Sequence, residues 1–321
     1  MTQKVDTTLI SGLTIPTNVL INGAMAIDQR NAGAAQTITA GAALAYTVDR
    51  WYGYCTGANV TGQRVAGSGN TQYRYQFTGA ASVTAIGFAQ RIEAANSFHL
   101  AGSIATLSLD LANTLLTTVT WTAYYANTTD TFGTLATPTR TLIGTGTFTV
   151  NSTVTRYNTQ ITIPAATTGI EIVLSVGAQT SGTWTIGNVQ LEPGRSNNNF
   201  WARSIGAELS LCQRYYYRLS GVKAVGAAYA DSATNGYALV QFPVPMRTVP
   251  TAIEQSGTAS HYTIVVGLSS IDCSAVPLYN NLTSEICARI QVTTASGLTN
   301  GYGGFFYLNT AAGYLGWEVE L

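Results

Sequence analysis

Apolar and polar residues alternate with period two through much of the chain. Tyr73, Tyr75 and Phe77 alternate with Gln72, Arg74 and Gln76, and Leu107, Leu109 and Leu111 with Thr106, Ser108 and Asp110. Val119, Trp121, Ala123 and Tyr125 alternate with Thr118, Thr120, Thr122 and Tyr124, and Ile170, Ile172, Leu174 and Val176 form a further set. Period two places each apolar set on one sheet face, which can be buried while the other is solvated. The β-branched and aromatic content favours strand over helix. Clusters such as Ala66-Gly67-Ser68-Gly69-Asn70 supply the turns. Many short antiparallel strands of this kind predict an all-β protein whose main body is a jelly-roll β-sandwich. Asn18-Val19-Leu20-Ile21-Asn22-Gly23 opens this frame and the run 187–194 closes it.

One segment has a different period. In 204–214, Ile205, Leu209 and Cys212 fall at the spacing of one helical face, with Ser204 placed to cap the start. The polar, breaker-rich stretch Pro193-Gly194-Arg195-Ser196-Asn197-Asn198-Asn199 precedes it and marks a domain boundary. Strand patterning then resumes: Ala238, Val240 and Phe242 alternate with Tyr237, Leu239 and Gln241, until Pro243 and Pro245 end the ladder. Further strands are expected at 262–267, 288–294, 304–308 and 316–321. The expected organisation is a terminal attachment peptide (1–17), the jelly-roll domain (18–195), a linker with a short helix (196–214) and a second β-rich domain (215–321).

Composition narrows the functional classes. Of 321 residues 9% are charged, and the formal net charge is zero. Lys4 and Lys223 are the only lysines. With no basic stripe to track a phosphate backbone, nucleic acid is not an expected partner. So little charge is unusual for a dispersed monomer and points to a surface partly covered by other subunits. No apolar run reaches membrane-spanning length and no export signal opens the chain, so no membrane insertion is expected. Cys55, Cys212, Cys273 and Cys287 lack metal-site spacing and are expected as free thiols, with a Cys273–Cys287 bridge across a hairpin as the alternative. Asn59, Asn127, Asn151 and Asn281 fit the glycosylation pattern but read as turn residues here.

Catalytic signals are sparse, and the chain is not expected to be an enzyme. His99 and His261 are the only histidines, the acids form no paired motif, and neither a nucleophile elbow nor a phosphate-binding glycine loop occurs. Aromatic residues are the stronger candidates, because the C–H faces of sugars pack on aromatic rings. Trp51 and Trp121 are expected in the core. Tyr52, Tyr54 and Tyr124 are the candidate exposed ligand contacts. The dense run Arg214-Tyr215-Tyr216-Tyr217-Arg218 reads as an interface or core strand with snorkelling arginines.

Several marks, in order, resemble a module of bacteriophage and prophage tail-fibre proteins. They are 18–23, then Asp28-Gln29-Arg30, then Tyr46-Thr47-Val48-Asp49-Arg50-Trp51 and the closing strand Ile186-Gly187-Asn188-Val189-Gln190-Leu191-Glu192-Pro193-Gly194. Next come the connector Glu208-Leu209-Ser210-Leu211-Cys212-Gln213-Arg214-Tyr215-Tyr216 and Phe242-Pro243-Val244-Pro245-Met246-Arg247 with Pro250. The first domain also resembles jelly-roll carbohydrate-binding modules. The resemblance implies a virion component, a homotrimer whose second domain is the trimerising one. It would join other virion proteins through the terminal peptide and bind host-surface glycan without cleaving it; the alternatives are a head or tail decoration or adaptor protein that binds no glycan, and a polysaccharide depolymerase with a site between subunits. The helix at 204–214 would then cross or line the threefold axis. Modules of this kind often hold a structural calcium through acids near both ends of the frame. Here Met25-Ala26 and Gly187-Asn188 occupy those regions, and no cofactor is expected.

Overall fold

A computed structural model describes residues 18–41, 43–165, 168–195 and 199–321. The expected attachment peptide, 1–17, lies outside the described residues, as does 196–198 of the expected linker. In the first domain the strands are β1 (Gln36–Ile38), β2 (Ala45–Tyr46), β3 (Tyr52–Thr56), β4 (Val60–Ala66), β5 (Tyr73–Thr78) and β6 (Ala85–Ile92). They continue as β7 (Ile104–Asn113), β8 (Thr118–Ala126), β9 (Arg140–Thr149), β10 (Thr155–Thr162), β11 (Ile170–Val176) and β12 (Thr183–Pro193). Two six-stranded sheets result, β1-β4-β5-β12-β7-β10 (sheet A) and β2-β3-β6-β11-β8-β9 (sheet B), every pair antiparallel. The chain is all-β, with the expected jelly-roll sandwich first.

The predicted apolar sets fill the space between the sheets. Leu107, Leu109 and Leu111 from sheet A meet Ile172 and Leu174 from sheet B in one continuous core, all at 0% exposure. Aromatic rings thread its centre: Trp51 stacks on Phe88 at 4.9 Å, Phe88 on Tyr75 at 5.0 Å and Phe77 on Trp184 at 5.4 Å. Each such side chain contributes about 1.5–3 kcal/mol through burial. One expectation needs correction. Thr106 and Ser108, on the face expected to be solvated, are buried. Arg156 Nη2 donates to Ser108 Oγ (2.6 Å) and Thr106 Oγ1 donates to the Gly194 carbonyl (2.7 Å). Those partners satisfy the hydroxyls that water would otherwise serve.

The two ends of the frame are hydrogen-bonded to each other. Val19 N donates to Leu191 O and Val189 N to Gly23 O, both at 3.0 Å. Asn18 clamps the pair: its Nδ2 donates to Val189 O, while its Oδ1 accepts from Leu20 N and Leu191 N. A Cβ on Gly23 would sit 2.0 Å from Val189 O, so this approach requires glycine.

In the second domain the strands are β13 (Tyr216–Ser220), β14 (Lys223–Ala230), β15 (Asn235–Gln241), β16 (Glu254–Gln255), β17 (Tyr262–Val266), β18 (Ser269–Asp272), β19 (Cys287–Thr293), β20 (Gly303–Leu308) and β21 (Tyr314–Glu318). They form a three-stranded sheet, β13-β21-β16, and a six-stranded sheet, β18-β17-β20-β14-β15-β19. Ala238, Val240, Ile264, Ile290 and Phe306 face the core between them. All four cysteines are free. Burial pushes the Cys273 thiol up to about 12.

A helix, Ile205–Gln213, connects the domains, and Ser204 Oγ accepts from Ala207 N at 3.4 Å as the cap signal predicted. Leu209 and Cys212 pack with Ile21, Ile27 and Tyr215, so the apolar face is used against the first domain. Glu208 turns the same way and accepts from Asn22 N. Ile205, by contrast, is exposed. The Arg214–Arg218 run is the interface strand the sequence suggested: Tyr215 and Tyr216 are buried, Arg50 stacks on Tyr215 at 3.4 Å and Arg30 on Tyr216 at 3.6 Å. The last residues close the seam. Arg50 pairs with Glu320, Arg30 pairs with Glu318 at 3.0 Å, and Arg91 Nη1 and Tyr46 Oη donate to the Leu321 carbonyl. Asp49 is buried beside this seam. Burial raises its carboxyl above the ordinary range, against the opposing pull of Arg30 and the hydrogen bonds from Gln29.

Candidate functional site

Three strand segments carry the polar and aromatic residues of interest on the outer face of sheet B. On β3, Tyr52, Tyr54 and Thr56 share one face, opposite the buried Gly53 and Cys55. On β8, Trp121 and Ala123 point into the core, so Tyr124 joins Thr120 and Thr122 outside. On β9, Thr145 and Thr147 lie across from Thr122 and Thr120. A register shift after Ala123 sets Tyr124 opposite Leu142.

A groove of about 500 Å³ opens on this face, lined by Tyr54, Cys55, Thr56, Thr134, Leu135 and Arg140 with Gly41 and Ala43. Thr134 and Leu135 belong to the β8–β9 connection, which folds back over the sheet. Tyr54 and Tyr124 are half-buried. The Arg140 guanidinium lies over the Tyr124 ring at 4.2 Å. Burial raises the Tyr54 phenol, and nearby Arg140 opposes that rise. Tyr54 rests flat across β6, where a Cβ on Gly87 would sit 2.1 Å from its ring. Replacing Gly87 with alanine is therefore expected to leave the sandwich folded, displace the Tyr54 ring and weaken any ligand held there. Circular dichroism alongside a binding titration checks both parts.

Beneath the groove lies a paired charge cluster. Glu171, the second residue of β11, is fully buried. Its Oε1 accepts from Tyr52 Oη (2.5 Å) and Arg91 Nε (2.7 Å), and its Oε2 pairs with Arg140. A buried carboxylate is tolerable when cations and hydrogen bonds compensate it this fully. The cluster fixes Arg140 from below and the Tyr124 ring fixes it from the side.

The structure separates the sequence candidates. Tyr54 lines the groove, and Tyr124 stands behind it, stacked against the lining residue Arg140. Tyr52 does neither, which corrects its expected exposure: its ring is wholly buried with Ala89 and Val173, among Leu44, Tyr46 and Leu135. Burial also drives its phenol strongly upward. Tyr52 thus orients Glu171 instead of meeting solvent. Trp51 and Trp121 are core residues, as expected. Sequence reasoning missed Arg140, Glu171, Arg91 and Gly87. Glu171 carried a legible signal, since a carboxylate inside an apolar strand demands a partner.

Among the described residues no acid–base constellation accompanies the histidines: His99 is exposed, and His261 Nδ1 lies 2.9 Å from Ser256 Oγ. Among the described residues no three or more His, Cys, Asp or Glu side chains gather to hold a metal ion. Among them, too, no helix is long and apolar enough to cross a membrane.

Fold and groove together define a jelly-roll β-sandwich whose outer sheet B face carries Tyr54, Tyr124 and a strip of threonines. No known protein family and no curated protein matches the sequence. Among solved structures, the chain is similar to the enzymatically active domain of bacteriophage CBA120 tailspike protein 4, at 19% identity and a TM-score of 0.33. That match covers 45% of this chain and 19% of the tailspike chain. It is also similar to TmCBM61 in complex with β-1,4-galactotriose, at 12% identity and a TM-score of 0.36, over 56% of this chain and 99% of that one. The family 11 carbohydrate-binding module of the cellulosomal cellulase Lic26A-Cel5E of Clostridium thermocellum matches over 53% of this chain and 100% of its own, at 13% identity and a TM-score of 0.32.

Proposed function

We propose that this chain is a bacteriophage virion protein, a tail fibre or receptor-binding component, that adsorbs to host-surface glycan through the groove on sheet B without cleaving it. The observation that carries this reading is the groove itself. Tyr54 offers a ring to the apolar face of a sugar, Thr56 and Thr134 offer hydroxyls, and Arg140 offers N–H donors at its edge. The adjoining Thr120, Thr122, Thr145 and Thr147 extend an uncharged polar strip suited to a chain of sugar units. A non-cleaving role is supported by the same geometry: among the described residues no acid lines the groove, and Glu171 beneath it is held between two guanidiniums, whereas hydrolysis needs a pair of available carboxyl groups. The virion assignment is supported by the tail-fibre-like sequence marks, whose two frame-closing members are hydrogen-bonded partners.

Assembly as a homotrimer is part of the proposal. Leu239, Ala227, Phe305 and Val265 stand in one row across four strands of the second domain's large sheet, on the face away from its core. Leu239 and Phe305 are 46% and 44% exposed in the single chain. An apolar row of this kind calls for a partner surface, and repeated sites on three subunits would raise avidity. The terminal peptide, 1–17, is assigned to the attachment of the trimer to other virion proteins. Light scattering on the purified chain is expected to give a stable mass of three subunits. A concentration-independent monomer would remove the trimer from the proposal. An assembled protein that binds no glycan would instead be a head or tail adaptor.

A further inference from the structure

We infer that the groove on sheet B selects a carboxylate-bearing sugar, a uronic acid residue, over its neutral counterpart. This rests on the glycan-binding reading and specifies its ligand class.

Arg140 is the one charged residue among those described that line the groove. Its side chain is 14% exposed. The ion pair with buried Glu171 and the stacking over Tyr124 remove most of its freedom. A guanidinium has five N–H donors in a planar fork, and the Glu171 pairing engages Nη1. No hydrogen bond from the remaining N–H groups to another described residue occurs, and none of these atoms is among the buried unpartnered ones, so they face the solvent of the groove. Glu171 is shared between the Arg140 and Arg91 guanidiniums. The other Arg91 nitrogens donate to the Gly133 and Leu321 carbonyls and so stay out of the groove.

A fixed guanidinium edge matches a carboxylate in a two-point, charge-assisted geometry. A neutral sugar docked on Tyr54 would strip water from that edge and return at most a single neutral hydrogen bond. The carboxylate at C5 of a hexuronic acid lies beside the ring's apolar C–H face. One residue can therefore stack on Tyr54 and reach Arg140 at once. The adjacent hydroxyls of Thr56 and Thr134 complete a set of partners suited to a sugar more than to a flat aromatic acid.

The test titrates the purified full chain with oligosaccharides of glucuronate, galacturonate, mannuronate and guluronate, each paired with its neutral hexose counterpart, by calorimetry. At least one uronate is expected to bind about 10- to 100-fold more tightly than its neutral partner, the range of a charge-assisted hydrogen bond. That advantage is expected to shrink as salt rises from ~0.05 to ~0.5 M. Arg140→Gln is expected to erase the acid-to-neutral ratio. Arg140→Lys keeps the charge on Glu171 without the fork and is expected to retain only part of the ratio. Neutral members bound as tightly as their acids, in a manner that depends on Tyr54 and Tyr124, would overturn acid selection and leave glycan binding standing. Binding of no member, acidic or neutral, by a chain that melts cooperatively would overturn both.

Discussion

Replacing Arg50 with alanine is expected to destabilise the chain by about 3 kcal/mol, the cost of breaking a buried charge pair from one side. Arg50 is 1% exposed and Glu320 3% by side chain, so water cannot take over from either. The guanidinium does three things at once. It pairs with Glu320, donates from Nη2 to the Arg91 carbonyl at 2.6 Å, and covers the Tyr215 ring at 3.4 Å. Its backbone sits at φ 71°, a left-handed conformation that a non-glycine residue holds only when its surroundings require it. Removal leaves the Glu320 carboxylate buried with Arg30 as its remaining partner, at 3.4 Å. The seam between the domains should loosen first. Denaturant unfolding followed by tryptophan emission checks this, since Trp51 lies next to Arg50 in the chain and Trp317 lies on β21. A loss below ~1 kcal/mol would place the pair in the class of weak surface bridges and contradict the seam as the main interdomain lock.

The second large effect concerns ligand binding. Tyr54→Ala, which removes the aromatic anchor of the groove, and Tyr124→Ala, which removes the brace of Arg140, are each expected to weaken glycan affinity by about 2 kcal/mol, roughly 30-fold. Both residues are half-buried on the outside of the sandwich, so the fold should survive their truncation. The two losses should not add. Tyr124 braces Arg140, and Arg140 lies beside Tyr54, so the sites share one partner. Tyr52→Phe makes a useful contrast: it touches no ligand, yet removes a hydroxyl that orients Glu171. Calorimetric titration of the three variants against one bound oligosaccharide separates contact from support.

The legible part of this structure was its local periodicity. The alternation of Leu107, Leu109 and Leu111 and of Ile170 through Val176 located β7 and β11, because a buried sheet face enforces period two. Ser204 marked the helix start through cap chemistry. The paired frame ends, Asn18 through Gly23 with the closing strand, showed in the sequence as two marks, although nothing local revealed that they touch. What remained hidden depends on contacts between distant residues. Tyr52 has the same local pattern as Tyr54, and it is buried because Leu44 and Leu135 arrive from other segments. The apolar residues of the helix meet Ile21 and Ile27, roughly 185 residues earlier in the chain. Arg140 stands at the start of β9, where no local pattern announces a site. Only the pairing of β11 with β8 and of β8 with β9 brings it above Glu171. Registers of this range follow from the whole fold, and loop closure between such distant segments leaves no trace in a short window.

The most direct measurement is to present the purified chain to an array of bacterial surface polysaccharides and acidic oligosaccharides, with the Tyr54→Ala, Tyr124→Ala double variant alongside. The account predicts saturable capture of at least one uronate-containing glycan by the wild-type chain and loss of that capture by a double variant that remains folded. Capture that is equal for both proteins, or no capture of any glycan by the wild-type chain, would contradict it.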